Sequence, residues 1–396
     1  LSNTMRILAT FDKCKDSLTA REICALADEV ATSQTFGHEC RSLPLTDGGE
    51  GFADLLTRAK GGSLHSFSAQ DSLGENREVE IGVIPGGQLS SSLREFTHLP
   101  AEGNLAVIEM SSIAGLSDLP MEKRNPWLTS TTGVGQLLEH AASLGVSAIV
   151  LGIGGSSTND MGIGALSSLG VRFLDQDGEP KSPPNPDSWS TIENISTPEL
   201  VYLPPIRIAC DVSNQLLGEE GATYQFGLQK GLSDSRKKEM EKRMEEMSET
   251  LANAFNKPLH LREGEGTGAA GGIGYGLSLA YDVQFVPGFS LVSKWFDLES
   301  AIQESDLILT GEGRFDRTSL YGKGPYEIIR MASQHGKKVI LLAGSVEMEA
   351  AEKCLSEFPG LEIAAFGSER LSLKENLQRA AELFKQKLDF QLSVHR

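Results

Sequence analysis

An apolar run, Leu307, Ile308 and Leu309, empties into TGEGRFDRTSLYGKG (Thr310 to Gly324), where glycines are interleaved with carboxylates and cations. Glu312, Asp316, Arg314 and Lys323 on one short stretch of flexible backbone are the parts needed to hold a polyanion and a divalent cation together. A solvated connection between strand and helix is the plainer alternative, since loops are ordinarily polar. Glycine and charge this dense exceed what a short connection requires.

The theme recurs wherever an apolar run ends. Asp12, Lys13, Lys15 and Ser17 follow the first run, and Asp47, Gly48, Gly49 and Glu50 follow the second. Further on, Gly154, Gly155, Ser156, Ser157, Thr158, Asn159 and Asp160 follow Ala148 to Gly152, and Asp211 follows Ile206 to Cys210. Ligands of open parallel sheets bind outside the carboxyl ends of the strands, so these loops are candidates to converge on one site. GIGGSSTND (Gly152 to Asp160) offers closely spaced backbone N–H groups before a helix start, which suits a phosphate or a carboxylate; a tight packing turn is the alternative. Gly266, Gly268 and Gly271 satisfy GxGxxG, but the segment before them is a poor strand and no acidic residue stands about twenty positions on. The run GTGAAGGIGYG, which includes Gly272, therefore reads as a helix start approached closely by another backbone, or as a phosphate cradle. The Walker A spacing is absent.

Oxygen-ligand chemistry is well supplied. Asp211, Glu312 and Asp316 are suited to Mg2+ together with waters and substrate phosphates, and Lys15, Lys230, Arg314 and Lys323 to neutralising a transferring phosphoryl group. None of the seven histidines sits in a glycine-rich loop, which leaves a serine hydrolase triad and a zinc site without support.

Bringing these loops to common edges calls for an α/β fold. Strand and helix patterns alternate at both ends of the 396-residue chain, with Thr19 and Glu22 as a capping box before the first helix. The expected architecture is two-lobed: a Rossmann/flavodoxin-like parallel-sheet domain formed by both chain ends (1–72 plus 290–396), with a second α/β domain (73–289) inserted and an active-site cleft between them. Met240, Met244, Met247 and Leu251 form a stripe expected to face a core. The net charge of −18 argues against nucleic-acid and anionic-membrane partners. Five scattered cysteines fit a reducing cytosol, and no apolar run approaches the length of a membrane span, so a cytoplasmic location is expected. Monomer and homo-oligomer both stay open.

Taken in order, DKCKDSL (Asp12 to Leu18), TDGGEG (Thr46 to Gly51), RNP (Arg124 to Pro126), STTGVG (Ser130 to Gly135), GIGGSSTND, ACDV (Ala209 to Val212), FGLQKG (Phe226 to Gly231), GTGAAGGIGYGL (Gly266 to Leu277) and TGEGRFD resemble the type I glycerate kinase family. The resemblance runs from about Met5 to Ser345. It implies ATP-dependent, Mg2+-assisted phosphorylation of D-glycerate, with 2-phosphoglycerate favoured over 3-phosphoglycerate. On it, Asp12, Ser17, Asp47, Gly48, Gly49, Glu50 and Arg314 are assigned to glycerate. Gly154 to Asp160, Gly268, Gly271, Gly272 and Lys230 are assigned to ATP, and Asp211 and Glu312 to the metal. Asp316, Asp211 and Lys15 are assigned to catalysis, with Asp316 orienting or deprotonating the attacking hydroxyl. The sequence departs from the family pattern at Asp16, where glycine is usual, at Ser213 and Gln215, where Asp and Pro are usual, and at Leu228, where proline is usual. Asp16 and Ser213 keep a second class of function open, a catalytically silent metabolite-binding or sensor protein on the same scaffold.

Overall fold

The computed structural model describes residues 4–394. The chain forms two compact units, Leu1–Asp47 with Val292–Arg396, and Gly48–Leu291. The first contains a five-stranded sheet in the order Glu39–Ser42, Arg6–Phe11, Leu307–Gly311, Lys338–Ala343, Leu361–Ala365, with every pair parallel. In chain order this is 2-1-3-4-5, the flavodoxin-like arrangement, and both chain ends contribute to it as expected. Its central strands are continuous apolar runs because they are covered on both faces; Leu307–Gly311 is buried at every position.

Local chemistry sets the helices that cover this sheet. The Glu22 N–H donates to Thr19 Oγ1 at 3.2 Å while the Thr19 N–H donates to Glu22 Oε2 at 2.8 Å, so the capping box starts helix Ala20–Ala31. Ile23 and Ala27 on its inner face share a core with Phe384 and Leu388 of helix Ala380–Val394. Phe384 meets Phe11 edge-on at 5.4 Å and Phe366 at 5.6 Å between ring centroids. Such edge-to-face contacts fix ring orientation, so the end of strand Arg6–Phe11 is held in place.

The second unit is built on a six-stranded sheet in the order Val283–Val286, Ile206–Ala209, Ala148–Gly152, Asn104–Glu109, Asn76–Pro85, Ser63–Gln70. The first four are parallel and the last two antiparallel. Val79 and Ile81 are buried, as their alternation predicts, and the methionine stripe lies in a core beside Tyr275 and Leu279. The division between units falls at Asp47/Gly48, and not near residue 72. Ser63–Gln70 pairs with Asn76–Pro85 along its whole length, and Asp71 closes the turn by accepting from the Leu73 and Glu75 N–H groups at 2.9 Å each. Residue 72 therefore lies inside a hairpin. Among the described residues no helix is long and apolar enough to cross a membrane.

Candidate active site

In the first unit, Phe11 pairs with Gly311, so Asp12 and Glu312 leave adjacent parallel strands at the same level. The place where the chain reverses its direction of progress across such a sheet, between its first and third strands, is where ligands of this architecture bind. Both carboxylates are largely buried, with 8% and 7% of their surface exposed. Asp12 Oδ1 accepts from the Lys13 N–H at 2.7 Å, and Lys13 Nζ lies 4.0 Å from the same oxygen and 2.9 Å from Asp47 Oδ1. Lys323 Nζ lies 3.4 Å from Glu312 Oε2. Burial pushes the Asp12 carboxyl up to about 6, against the pull of Lys13 and with a further push from Asp47. Burial also raises Glu312, opposed chiefly by Lys323. Glu312 Oε1 accepts no hydrogen bond of ordinary geometry, although the Ser319 hydroxyl is close enough to favour the anion.

Other residues assigned from the sequence take other positions in this unit. Asp316 opens the one-turn segment Arg317–Leu320: Oδ1 accepts from the Thr318 N–H and hydroxyl at 2.9 and 2.6 Å, and Oδ2 faces Arg314 Nε at 3.2 Å. The Thr318 hydroxyl holds its carboxyl below the usual range. Such a group is a weak base. Arg314 and Lys15 are exposed, and the Ser17 hydroxyl donates to Cys14 O at 3.0 Å within the turn. Asp16 has φ of +63°, in the left-handed region that glycine enters freely and aspartate tolerates. Its occurrence where the family pattern has glycine is accounted for by that backbone geometry.

In the second unit the glycine loops are organised differently. Gly154 and Gly155 reach the surface, whereas Ser156, Ser157, Thr158, Asn159 and Asp160 are buried. The Ser157 N–H and hydroxyl both donate to Ala114 O, at 2.8 and 2.9 Å. Asp160 accepts from the Thr131 N–H and hydroxyl at 2.8 Å each and from the Gly162 and Gly164 N–H groups at 3.1 Å each. Burial raises its pKa and these donors oppose the rise. Lys230 is 1% exposed and donates from Nζ to Thr158 O at 2.7 Å; burial lowers it to about 7, with Asp160 acting the other way. A Cβ on Gly154 would stand 2.7 Å from Gly49 N, one on Gly268 2.1 Å from Gln215 O and one on Gly271 2.2 Å from Thr158 O. These glycines let two backbones touch, one of the two readings their pattern allowed. Gly48 and Gly272 take left-handed φ values of +82° and +89°, and Glu50 accepts from the Ser117 hydroxyl. The residues ahead of the GxGxxG match form a 3-10 segment, Leu259–Glu263, so the strand required of a dinucleotide fingerprint is missing.

Both Asp211 oxygens accept from the Phe289 N–H, at 2.9 and 3.0 Å, anchoring the start of helix Gly288–Phe296. Among the described residues no group of three or more His, Cys, Asp or Glu side chains is arranged to hold a metal. Asp211 thus caps a helix in the second unit, and Glu312 lies beside Lys323 in the first. Glu109, which ends strand Asn104–Glu109 and is 8% exposed, is a further buried carboxylate at a strand end, outside the loop residues named from the sequence. It accepts from the Ser111 hydroxyl at 2.8 Å and from the Ala53 N–H at 3.3 Å. The signal was available in the apolar run Leu105 to Ile108 ending on a carboxylate.

A family model described as the glycerate kinase family matches residues 7–390. A glycerate kinase of Haemophilus influenzae is 36% identical over 86% of this chain and 86% of its own length, and one of Halalkalibacterium halodurans is 34% identical over 85% and 84%. The glycerate 2-kinase of Escherichia coli is 33% identical over 86% of each. A crystal structure of a glycerate kinase 2 from Salmonella typhimurium superposes with a TM-score of 0.75 at 29% identity, covering 99% of this chain and 98% of that one. The chain therefore belongs to the glycerate kinase family and is a phosphotransferase whose acceptor is an alcohol.

Proposed function

We propose that this chain transfers the γ-phosphoryl group of ATP to the C2 hydroxyl of D-glycerate, yielding 2-phosphoglycerate and ADP. The regiochemistry leans on the Escherichia coli relative, whose name specifies a 2-kinase. The observation that carries the acceptor site is Asp12, a buried carboxylate at the switch point of a 2-1-3-4-5 sheet, beside Lys13 and Glu312. A base with a pKa near working pH is the effective one in proton transfer, and Asp12, pushed up to about 6, meets that condition better than Asp316.

On this reading the acceptor hydroxyl oxygen bonds to the γ-phosphorus as the bond to the β,γ-bridging oxygen breaks. The hydroxyl proton passes to Asp12 Oδ2, and ADP leaves with the bridging oxygen. Lys13, 4.0 Å from Asp12 Oδ1, meets the glycerate carboxylate. The phosphates of ATP lie on the backbone of half-buried Gly154 and exposed Gly155, with Mg2+ arriving as part of the nucleotide complex, which needs few protein ligands.

Incubation with Mg-ATP and D-glycerate followed by proton-coupled phosphorus NMR tests the reading. The expected new phosphomonoester signal is a doublet, split by the single C2 proton. A triplet, from the two C3 protons, would sink the regiochemistry, and no glycerate-dependent signal would sink the function.

A further inference from the structure

Lys230 is a buried cation that this chemistry leaves without a task. It closes the one-turn segment Leu228–Lys230, which Gly231 ends at φ of +92°. Taking an ammonium group out of water is costly, and a methionine would fill similar space without that cost. What the amine adds is a donor. Its Nζ sits 2.7 Å from Thr158 O, and the same carbonyl is the atom on which Gly271 presses, at 2.2 Å from where a Cβ would stand. Close by, the Met161 N–H donates to Gly271 O at 2.8 Å. The amine therefore fastens the crossing of Gly154 to Asp160 with Ala269–Gly272. Asp160, saturated by its own four donors, supplies the compensating charge.

We infer that Lys230 is a positioning residue for nucleotide binding: by holding Thr158 O it fixes the crossing of the buried segment Ala269–Gly272 with the segment that begins at Gly154 and the exposed Gly155, whose backbone meets the phosphates. The inference rests on the reading that the ATP phosphates lie on Gly154 and Gly155. Without the donor, Thr158 O becomes a buried acceptor with one partner fewer, and the crossing loosens on the side that leads to Gly155 and Gly154. Contact with a phosphate through backbone N–H groups depends on their spacing, so the loss falls on the nucleotide and not on the acceptor. Either protonation state of the amine donates an N–H, so the role survives the lowering of its pKa to about 7.

Lys230→Met and Lys230→Gln in the full chain test this, with steady-state kinetics and amide hydrogen exchange in the presence and absence of a non-hydrolysable ATP analogue. The methionine variant is expected to raise KM for ATP about 10-fold, the effect of one lost buried hydrogen bond, while kcat and KM for glycerate stay within about twofold. Its Met161 amide exchanges faster than in the wild type. Lys230→Gln, which keeps an N–H donor, recovers most of the loss. An unchanged KM for ATP in folded Lys230→Met, or equal rises in both KM values, overturns the inference. Where Lys230→Met is too unstable to assay, Lys230→Gln decides: with the donor kept, KM for ATP and Met161 exchange must both stay within about twofold of the wild type, and a larger rise in either overturns it. If the analogue protects no amide of residues 153–161 or 266–273 in the wild type, the nucleotide reading itself fails, whatever the variants do.

Discussion

Asp12 and Asp160 are both buried aspartates in loops that follow parallel strands, and burial raises the pKa of each. Their surroundings differ in kind. Asp160 is met by four N–H and O–H donors, whereas Asp12 has one backbone donor at 2.7 Å and a lysine at 4.0 Å, with Asp47 adding like charge and Glu312 itself raised by Asp12. A carboxylate whose lone pairs are filled by fixed donors is a structural fastener. One held by cations and crowded by other carboxylates can exchange a proton and a ligand. Burial alone does not distinguish a working acid from a structural one; the donor set does.

Asp12→Asn tests this contrast with the largest expected effect. Loss of a positioned general base costs about 10²- to 10⁴-fold in rate, read as glycerate-dependent ADP release. Stability should move the other way. The folded pKa of about 6 lies above the ordinary 3.8, so the stability linked to this group is fully present below about pH 4 and is lost as pH rises through 6. Asp12→Asn should therefore be the more stable protein at pH 8 in urea, with the advantage vanishing near pH 4. Full turnover by this variant would return the base to another residue.

The opposite pattern is expected of Asp160→Asn. The new amide turns a donor toward N–H groups that need an acceptor, and the protein should lose about 3 kcal/mol in urea unfolding. A variant with wild-type stability would show that the four hydrogen bonds do not fasten the loop.

The sequence made some of this arrangement visible and hid the rest for physical reasons. Strand ends were legible because continuous apolar runs stop at polar residues, and the Thr19 and Glu22 pair announced its helix. Both chain ends entering one parallel sheet followed from the βα rhythm. The division near Asp47 was not legible, because a hairpin turn at Asp71 and a linker have similar composition. Asp12 was visible as a pocket residue, but its burial was not, since the strand that carries it pairs with Leu307–Gly311 about 300 positions along the chain. Glycines and small hydroxyls serve a phosphate cradle and a close backbone crossing equally well, so Ser156 to Asp160 carried no mark of burial. The capping of Arg317–Leu320 by Asp316 did leave a trace, in the hydroxyls at Thr318 and Ser319.

Asp316→Asn sharpens the comparison within a single unit, since this carboxylate lies on a strand-end loop like Asp12 but is occupied by Thr318 and Arg314. Loss of a cap costs about 1 kcal/mol in stability. Turnover should fall by less than about tenfold, because the residue shapes the loop without taking the proton. A fall as large as that of Asp12→Asn would erase the distinction between them.

Asp16→Gly has the smallest expected effect and probes the edge of the Asp12 loop. At φ of +63° glycine relieves a left-handed conformation, yet it also adds freedom to the unfolded chain, so net stability should change by less than about 0.5 kcal/mol. The electrostatic consequence is separable. Asp16 and Lys15 are both exposed, and removing the carboxylate next to Lys15 leaves less repulsion for an incoming anion. KM for glycerate should therefore fall by about twofold at low ionic strength, and the difference should shrink near 1 M salt, where screening reaches about 3 Å. A salt-independent change of KM would mean that Asp16 acts through the shape of the turn, and the loop leading from Asp12 would then be a specificity element in its own right.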